Sequence, residues 1–297
     1  MAKPSQPKIL VAMPAYNEER YLGSIILKAR QYADEVIVVD DGSTDGTSEI
    51  ARLAGATVIR HENNKGKGAA VQSLLSEAKK KNPDVLVFLD ADSQHNPDEI
   101  PSLIQPIISG NSDLAIGARK VQVNKTPRYR QIGQKILLFS TRMLSGERLT
   151  DSESGFRALS RKAISEVQLQ ENGFAIEAEI IARAADKQLK ITQVPISNIY
   201  TKDGSTLNPI RHGLGVLTRI LVMISERKPL FFFGLGGSIL IVLGLIAGVR
   251  TLYLFSNQGI LPPGSALLSV LLLIIGIFSI FTGIILHTVA RRKGNPV

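Results

Sequence analysis

Two aspartates one residue apart, in Asp90-Ala91-Asp92, follow an unbroken apolar run, Val85-Leu86-Val87-Phe88-Leu89. A run that short, without alternation, predicts a strand buried on both faces of a parallel sheet. Carboxylates at the end of such a strand need a cation, because burial disfavours their charged form. Ligands of open parallel sheets lie outside the carboxyl ends of the strands. The pattern therefore suits a divalent metal carrying a nucleotide diphosphate, with Asp90 and Asp92 facing it. The alternative is an Asx turn leading into a helix at Asn96-Pro97-Asp98-Glu99.

The elements that must position these acids are legible upstream. Lys8–Met13 reads as a buried strand that Pro14 stops, and Asn17 as a cap for a helix over Arg20–Tyr32. Glu35–Asp40 is a second buried strand, ending in Asp40-Asp41 and a Gly42-Ser43-Thr44 turn. A helix over Ser48–Ala54, a strand over Ala56–Arg60 and a helix over Ala69–Lys80 lead to the Val85 strand. Strands and helices alternating through short connections predict a doubly wound, mostly parallel α/β sheet. Glu18, Asp40, Asp41, Asp90 and Asp92 then share one rim. Lys65-Gly66-Lys67-Gly68 places cations and pliable backbone at a helix N-terminus, which suits an anion, or else builds a solvated turn. It has neither Walker nor dinucleotide-fingerprint spacing.

The 297 residues include no Cys and no Trp, and the formal net charge is +9. Any metal must be held by oxygen or His. A pI near 9.7 points to nucleic acid, an anionic membrane surface or a phosphorylated substrate. Met1–Lys8 is polar and Ile9–Met13 too short for an h-region, so no signal peptide is expected. Asp113–Arg119 reads as another strand, and Lys120–Tyr129, with Lys125 and Arg128, as a loop over an acceptor site. Ile132–Leu144 and Ala175–Ala185 read as helices and Ile191–Ile196 as a strand. Pro209–Arg227 gathers Leu214, Leu217, Ile220, Leu221 and Ile224 on one side, as an interfacial helix would. Leu230–Val249 and Ala266–Leu286 are long and apolar enough to span a bilayer. Basic residues flank both spans, while the joining loop Ser256–Ser265 has no Lys or Arg. That asymmetry predicts cytoplasmic termini in a multi-pass membrane protein. Gly234, Gly236, Gly237 and Gly244 predict close helix packing, and the spans offer a route to a homo-oligomer. The expected organisation is a catalytic domain over 1–208, an interfacial helix over 209–228, and two spans with a basic tail over 229–297.

Four motifs agree in order and spacing with family 2 glycosyltransferases of the GT-A fold. They are Pro14-Ala15-Tyr16-Asn17-Glu18, Val39-Asp40-Asp41-Gly42-Ser43-Thr44-Asp45-Gly46-Thr47, Gly66-Lys67-Gly68 and Asp90-Ala91-Asp92-Ser93-Gln94-His95. Within that family the chain resembles the polyprenyl-phosphate (dolichol-phosphate) mannose or glucose synthases. The resemblance implies inverting transfer of one hexose from a GDP-mannose or UDP-glucose type donor to a polyprenyl or dolichyl phosphate, with Mg2+ or Mn2+. It implies Pro14, Tyr16 and Glu18 at the nucleoside and Asp40 by the base and ribose. Lys67 and Ala91 would lie along the donor, and Asp90, Asp92 and Gln94 around the metal and diphosphate. Arg119 would face the sugar phosphate.

Thr150-Asp151-Ser152-Glu153-Ser154-Gly155-Phe156-Arg157 matches the group's acceptor-side motif. Asp151 stands where inverting enzymes often carry a base. A phosphate monoester, with a second pKa of about 6, needs little deprotonation. Asp151 is therefore expected to orient an Arg or complete the metal environment, and Arg157, backed by Arg128 and Arg130, to hold the acceptor phosphate. Where the group has Arg-x-x-Gly-x-Ser-Lys, this chain has Lys202 near the Arg position and Leu207 in place of the Lys. Lys202 is then the cation left for the donor. Without Trp, the Gln-x-x-Arg-Trp motif of processive synthases is absent. A hydroxyl acceptor and a non-catalytic membrane scaffold are the other readings.

Overall fold

The computed structural model describes residues 7–119, 128–173, 175–197, 209–259 and 261–294. Seven strands are β1 (Ile9–Ala15), β2 (Glu35–Asp40), β3 (Thr57–Arg60), β4 (Val85–Phe88), β5 (Leu114–Arg119), β6 (Arg157–Ser160) and β7 (Ile191–Ile196). They form one sheet in the order β3-β2-β1-β4-β6-β5-β7. Only β6 runs antiparallel, to both β4 and β5. The apolar runs are continuous because each strand feeds two cores. Val11 and Met13 of β1, Val36 and Val38 of β2, and Val85 and Val87 of β4 face one side. Leu10, Ala12, Ile37, Val39, Leu86 and Phe88 face the other. Each Val, Leu, Ile, Met or Phe side chain among these contributes about 1.5–3 kcal/mol by leaving water.

Helices α1 (Glu19–Ala29), α2 (Thr47–Leu53) and α4 (Ile100–Ile108) cover the first face through Leu22, Ile26, Ala51, Ile100 and Leu103. Helices α3 (Lys67–Lys81), α6 (Arg161–Glu166) and α7 (Ile176–Asp186) cover the second through Leu74, Leu75, Ile164, Ile180 and Ile181. Between them in sequence lies α5 (Arg128–Ser145). The fold is the expected doubly wound α/β sheet, with local differences. Pro14 lies within β1 rather than ending it. β4 pairs with β1 only as far as Ala12, so the N–H that Pro14 lacks is not wanted there. Asn17 does not cap α1; it takes a left-handed φ of 56° and its Oδ1 accepts from the Thr44 N–H at 2.9 Å. Of the acceptor loop expected over Lys120–Tyr129, residues 120–127 lie outside the described residues, while Arg128 and Tyr129 already belong to the helix Arg128–Ser145.

Beyond the α/β unit, α8 (Pro209–Arg227) precedes two long helices, α9 (Pro229–Gln258) and α10 (Pro263–Gly294). The last two are long and apolar enough to cross a membrane, with mean hydropathies of 2.5 and 2.7. They pack on each other through small residues. A Cβ on Gly237 would lie 2.5 Å from the Gly276 carbonyl, and one on Gly276 2.7 Å from that of Gly237. Ser269 donates to the Gly244 carbonyl at 2.7 Å and Ser279 to that of Phe233 at 2.9 Å. These contacts satisfy hydroxyls inside the pair. Gly234 and Gly236, by contrast, face open space.

Candidate active site

In the sheet, β1 has β2 on one side and β4 on the other. This is where strand order reverses, so the carboxyl ends of β1 and β4 open a crevice of the kind that holds ligands. The loop after β1 supplies Tyr16 and Glu18, and the loop after β4 supplies Asp90, Ala91, Asp92 and Gln94. Tyr16 is 45% exposed and Pro14 half-buried. The first loop is clipped to the one after β2. The Asn17 N–H donates to Ser43 Oγ and the Glu18 N–H to Thr47 Oγ1, both at 2.9 Å. In the second loop Ser93 takes a φ of 64°, and Asp92 Oδ1 accepts from the Gln94 N–H at 3.0 Å.

The acids of the crevice are not balanced alike. Asp90 is held below the usual carboxylate range: burial opposes its charge, but the Lys67 ammonium 2.8 Å away and His95 overcome it. Asp92 is pushed up, first by burial and then by the charge of Asp90. Glu18 is pushed up to about 7 by burial and then by Asp92, Asp45 and Asp90. Carboxylate therefore exceeds cation in the crevice. Among the described residues, no three His, Cys, Asp or Glu side chains are gathered as a ready metal cage. The residues nevertheless fit a hard divalent ion, which needs one or two carboxylates and takes its other oxygens from a substrate diphosphate and water.

On the far side of β4, the Arg119 guanidinium grips Asp151 with both prongs. Nε lies 2.7 Å from Oδ2, and Nη2 3.0 Å from Oδ1. Burial works against the Asp151 charge, but the Arg119 hydrogen bonds hold it below its ordinary value. Gln193 on β7 anchors the motif, donating to the Asp151 carbonyl at 3.0 Å and accepting from the Thr150 N–H at 2.8 Å. Glu153 is pushed up to about 7 by burial, with Arg119 pulling down and Asp151 pushing up. Its buried Oε1 has no hydrogen-bond partner among the described residues.

Several expected site residues stand elsewhere. Arg157 is 1% exposed, and its three guanidinium nitrogens donate to the carbonyls of Ser154, Glu177 and Ser152. It is a buried strut, so the expectation that it holds an acceptor phosphate is corrected. Asp40 is 0% exposed and accepts from the Ser43 N–H and Ser48 hydroxyl, which builds a turn rather than a nucleoside contact. Asp41 likewise binds the Lys65 and Gly66 N–H groups and His61. The Lys/Gly loop is no anion cradle, because residues 171–172 pack over it. Lys67 instead pairs with Asp90 and Glu177. Lys202 and Leu207 lie outside the described residues, as do the side chains of Arg128 and Arg130. The sequence reading missed Glu177, Glu153, His95 and Gln193. An acid among apolar neighbours, as in Ala175-Ile176-Glu177-Ala178, was the available signal for Glu177.

Solved structures share this architecture. Glucosyl-3-phosphoglycerate synthase from Mycobacterium tuberculosis, in complex with Mn2+ and uridine-diphosphate-glucose, superposes with a TM-score of 0.57 at 26% identity, covering 74% of this chain and 79% of that one. Among curated proteins, the UDP-N-acetylglucosamine–dolichyl-phosphate N-acetylglucosaminyltransferase of Methanococcus voltae is 34% identical, over 65% of this chain and 86% of its own. The dolichol-phosphate mannosyltransferase of Pyrococcus furiosus is 33% identical, over 85% of this chain and 74% of its own. The model of the family described as "Glycosyl transferase family 2" matches residues 10–168, more than half of the chain and including the loops after β1 and β4, and the chain belongs to that family.

Proposed function

We propose that this glycosyltransferase moves one hexose, with inversion, from a nucleoside diphosphate sugar to a polyprenyl or dolichyl phosphate at the cytoplasmic face of a membrane. The observation that carries the reading is the gathering of Glu18, Asp90 and Asp92 where β1 and β4 part, with Glu18 and Asp92 pushed up first by burial and then by the neighbouring carboxylates. Mg2+ or Mn2+, held by Asp90, Asp92 and Gln94, would relieve that repulsion and supply neutralising charge for a leaving diphosphate. Tyr16, Pro14 and Glu18 border the nucleoside side. Arg119, held in one orientation by Asp151 through its Nε and Nη2 edge, would present its remaining Nη1 side to a phosphate. Arg128, Arg130 and Lys202 complete the proposal as further phosphate ligands. The dolichyl-phosphate enzymes among the relatives support the acceptor class. The two apolar helices support a membrane-held acceptor, and their flanking Arg and Lys support cytoplasmic termini. The organisation proposed is a catalytic domain to residue 208, an interfacial helix to 228 and a two-span anchor. The test is release of nucleoside diphosphate from a panel of labelled UDP- and GDP-sugars, in membranes supplied with polyprenyl phosphate. Release that requires both the lipid and a divalent cation is expected; release from no donor overturns the reading.

One observation favours a second reading. Glu153 has the raised pKa and the unpartnered oxygen of a proton acceptor, which a hydroxyl acceptor needs and a phosphate does not. If Glu153→Gln abolishes transfer while both substrates still bind, the acceptor is a hydroxyl.

A further inference from the structure

The Lys67 ammonium lies between two acids, 2.8 Å from Asp90 Oδ1 and 2.7 Å from Glu177 Oε1. No pliable loop delivers it. Gly66 has a φ of 96°, and a Cβ there or on Gly68 would collide with the backbone of Glu171 and Asn172. The Ala69 N–H donates to the Asn172 carbonyl at 3.3 Å, and Gln72 Nε2 to that of Glu171 at 2.9 Å. Residues 171–172 lead into α7, whose first turn carries Glu177. The starts of α3 and α7 are thus docked as one piece, and that docking sets Lys67 beside Glu177.

The same ammonium occupies an oxygen of Asp90. A divalent ion on Asp90 would repel an ammonium in contact with the same carboxylate. The charge must then rest on something other than Asp90, and Glu177 is already in contact with it. We propose that Glu177 is a positioning residue that makes Lys67 a displaceable counter-ion: the ammonium covers Asp90 until a divalent cation arrives, then withdraws onto Glu177. This rests on the reading that Asp90 receives such a cation.

The proposal gives opposite signs to two neighbouring substitutions. Lys67→Met removes the competitor and strengthens metal binding. Glu177→Gln removes the place to withdraw to, leaves the ammonium on Asp90, and weakens it. Without Lys67 there is nothing to withdraw, so Glu177→Gln should then do little. The probe is Mn2+ alone, with the free ion followed by electron paramagnetic resonance, on the full chain in detergent. The expected dissociation constant falls about tenfold in Lys67→Met and rises about tenfold in Glu177→Gln, and the double variant stays within about twofold of Lys67→Met. Glu177→Asp, which keeps the charge, should recover most of the loss. An equal cost of Glu177→Gln in both backgrounds would mean a direct field effect and overturns the proposal. So does Mn2+ binding in Lys67→Met that is unchanged or weaker. If circular dichroism shows Lys67→Met unfolded, the pair Glu177→Gln and Glu177→Asp decides, and equal losses in the two overturn it. An unsubstituted chain that binds no Mn2+ overturns the metal reading of the crevice itself, whereas normal binding with the wrong shifts overturns the counter-ion proposal alone.

Discussion

Both carboxylate oxygens of Asp151 are engaged by Arg119, and its pKa is lowered, so it is poorly suited to take a proton. Asp151→Asn should keep most of the shape and lose the grip on Arg119. Transfer is expected to slow about ten- to a hundredfold through lost positioning, read as a rise in the apparent KM of the phosphate-bearing substrate. Complete loss with both substrates still bound would make Asp151 a base after all. Asp92→Asn acts differently. It should lower the rate by about 10²–10³-fold, since charge stabilisation at the leaving diphosphate goes with it. It should also raise the Tm of the metal-free protein, because it removes one of the mutually repelling acids. A pH dependence follows from Glu18 and Glu153, both pushed from 4.5 to about 7. A folded-state pKa above the unfolded one means that the native protein binds more protons between those values. Stability with chelator present should therefore be greatest near the lower value and fall as pH rises towards 7. Added Mn2+ should flatten that fall in a thermal scan; a Tm that climbs over the same range would contradict the shifts.

Among the elements, α3 depends on the absence of a side chain at its start. Gly68→Ala would press a Cβ into the Glu171 carbonyl. Relieving that overlap means undocking residues 171–172, at a cost of about 1–3 kcal/mol measurable by urea unfolding. Unchanged stability would show that the two segments are not docked. The elements also show how far sequence reaches. The strands β1, β2 and β4 were legible because each is a continuous apolar run ending in turn chemistry. Their acids were legible because only a ligand or a turn explains charge at such ends. Which acids build turns was not: Asp40 and Asp92 both end or follow strands, and only the positions of Ser43 and Ser48 separate the first from the second. β6 was hidden because four residues carry little pattern and its partners are distant in sequence. The fate of Arg157 went with it, since the residue that opens a buried strand has its guanidinium drawn inward to main-chain carbonyls.

For the whole molecule, the pair of long apolar helices was legible from length and hydropathy alone, whereas the orientation proposed for it rests on the placement of Arg and Lys. A cysteine at Gly259 should react with an impermeant thiol reagent outside intact cells. One at Asn295, outside the described residues, should not. The chain has no native Cys to compete, and labelling only at Asn295 would invert the topology. Within the hairpin, Gly276→Leu should force α9 and α10 apart, seen as weaker resistance to unfolding in detergent. The position of β6 between β4 and β5 bears on how the protein is made. During synthesis β4 emerges with one edge bare, and β5 cannot join it, because the strand that belongs between them is some forty residues further along the chain. Until residues 157–160 leave the ribosome, the nascent chain carries an open, apolar strand edge of the kind that chaperones protect and neighbouring chains capture. Nascent chains arrested before residue 157 should then be protease-sensitive. Those arrested once β7 has emerged should resist, with the α/β unit closed before the two long apolar helices follow it.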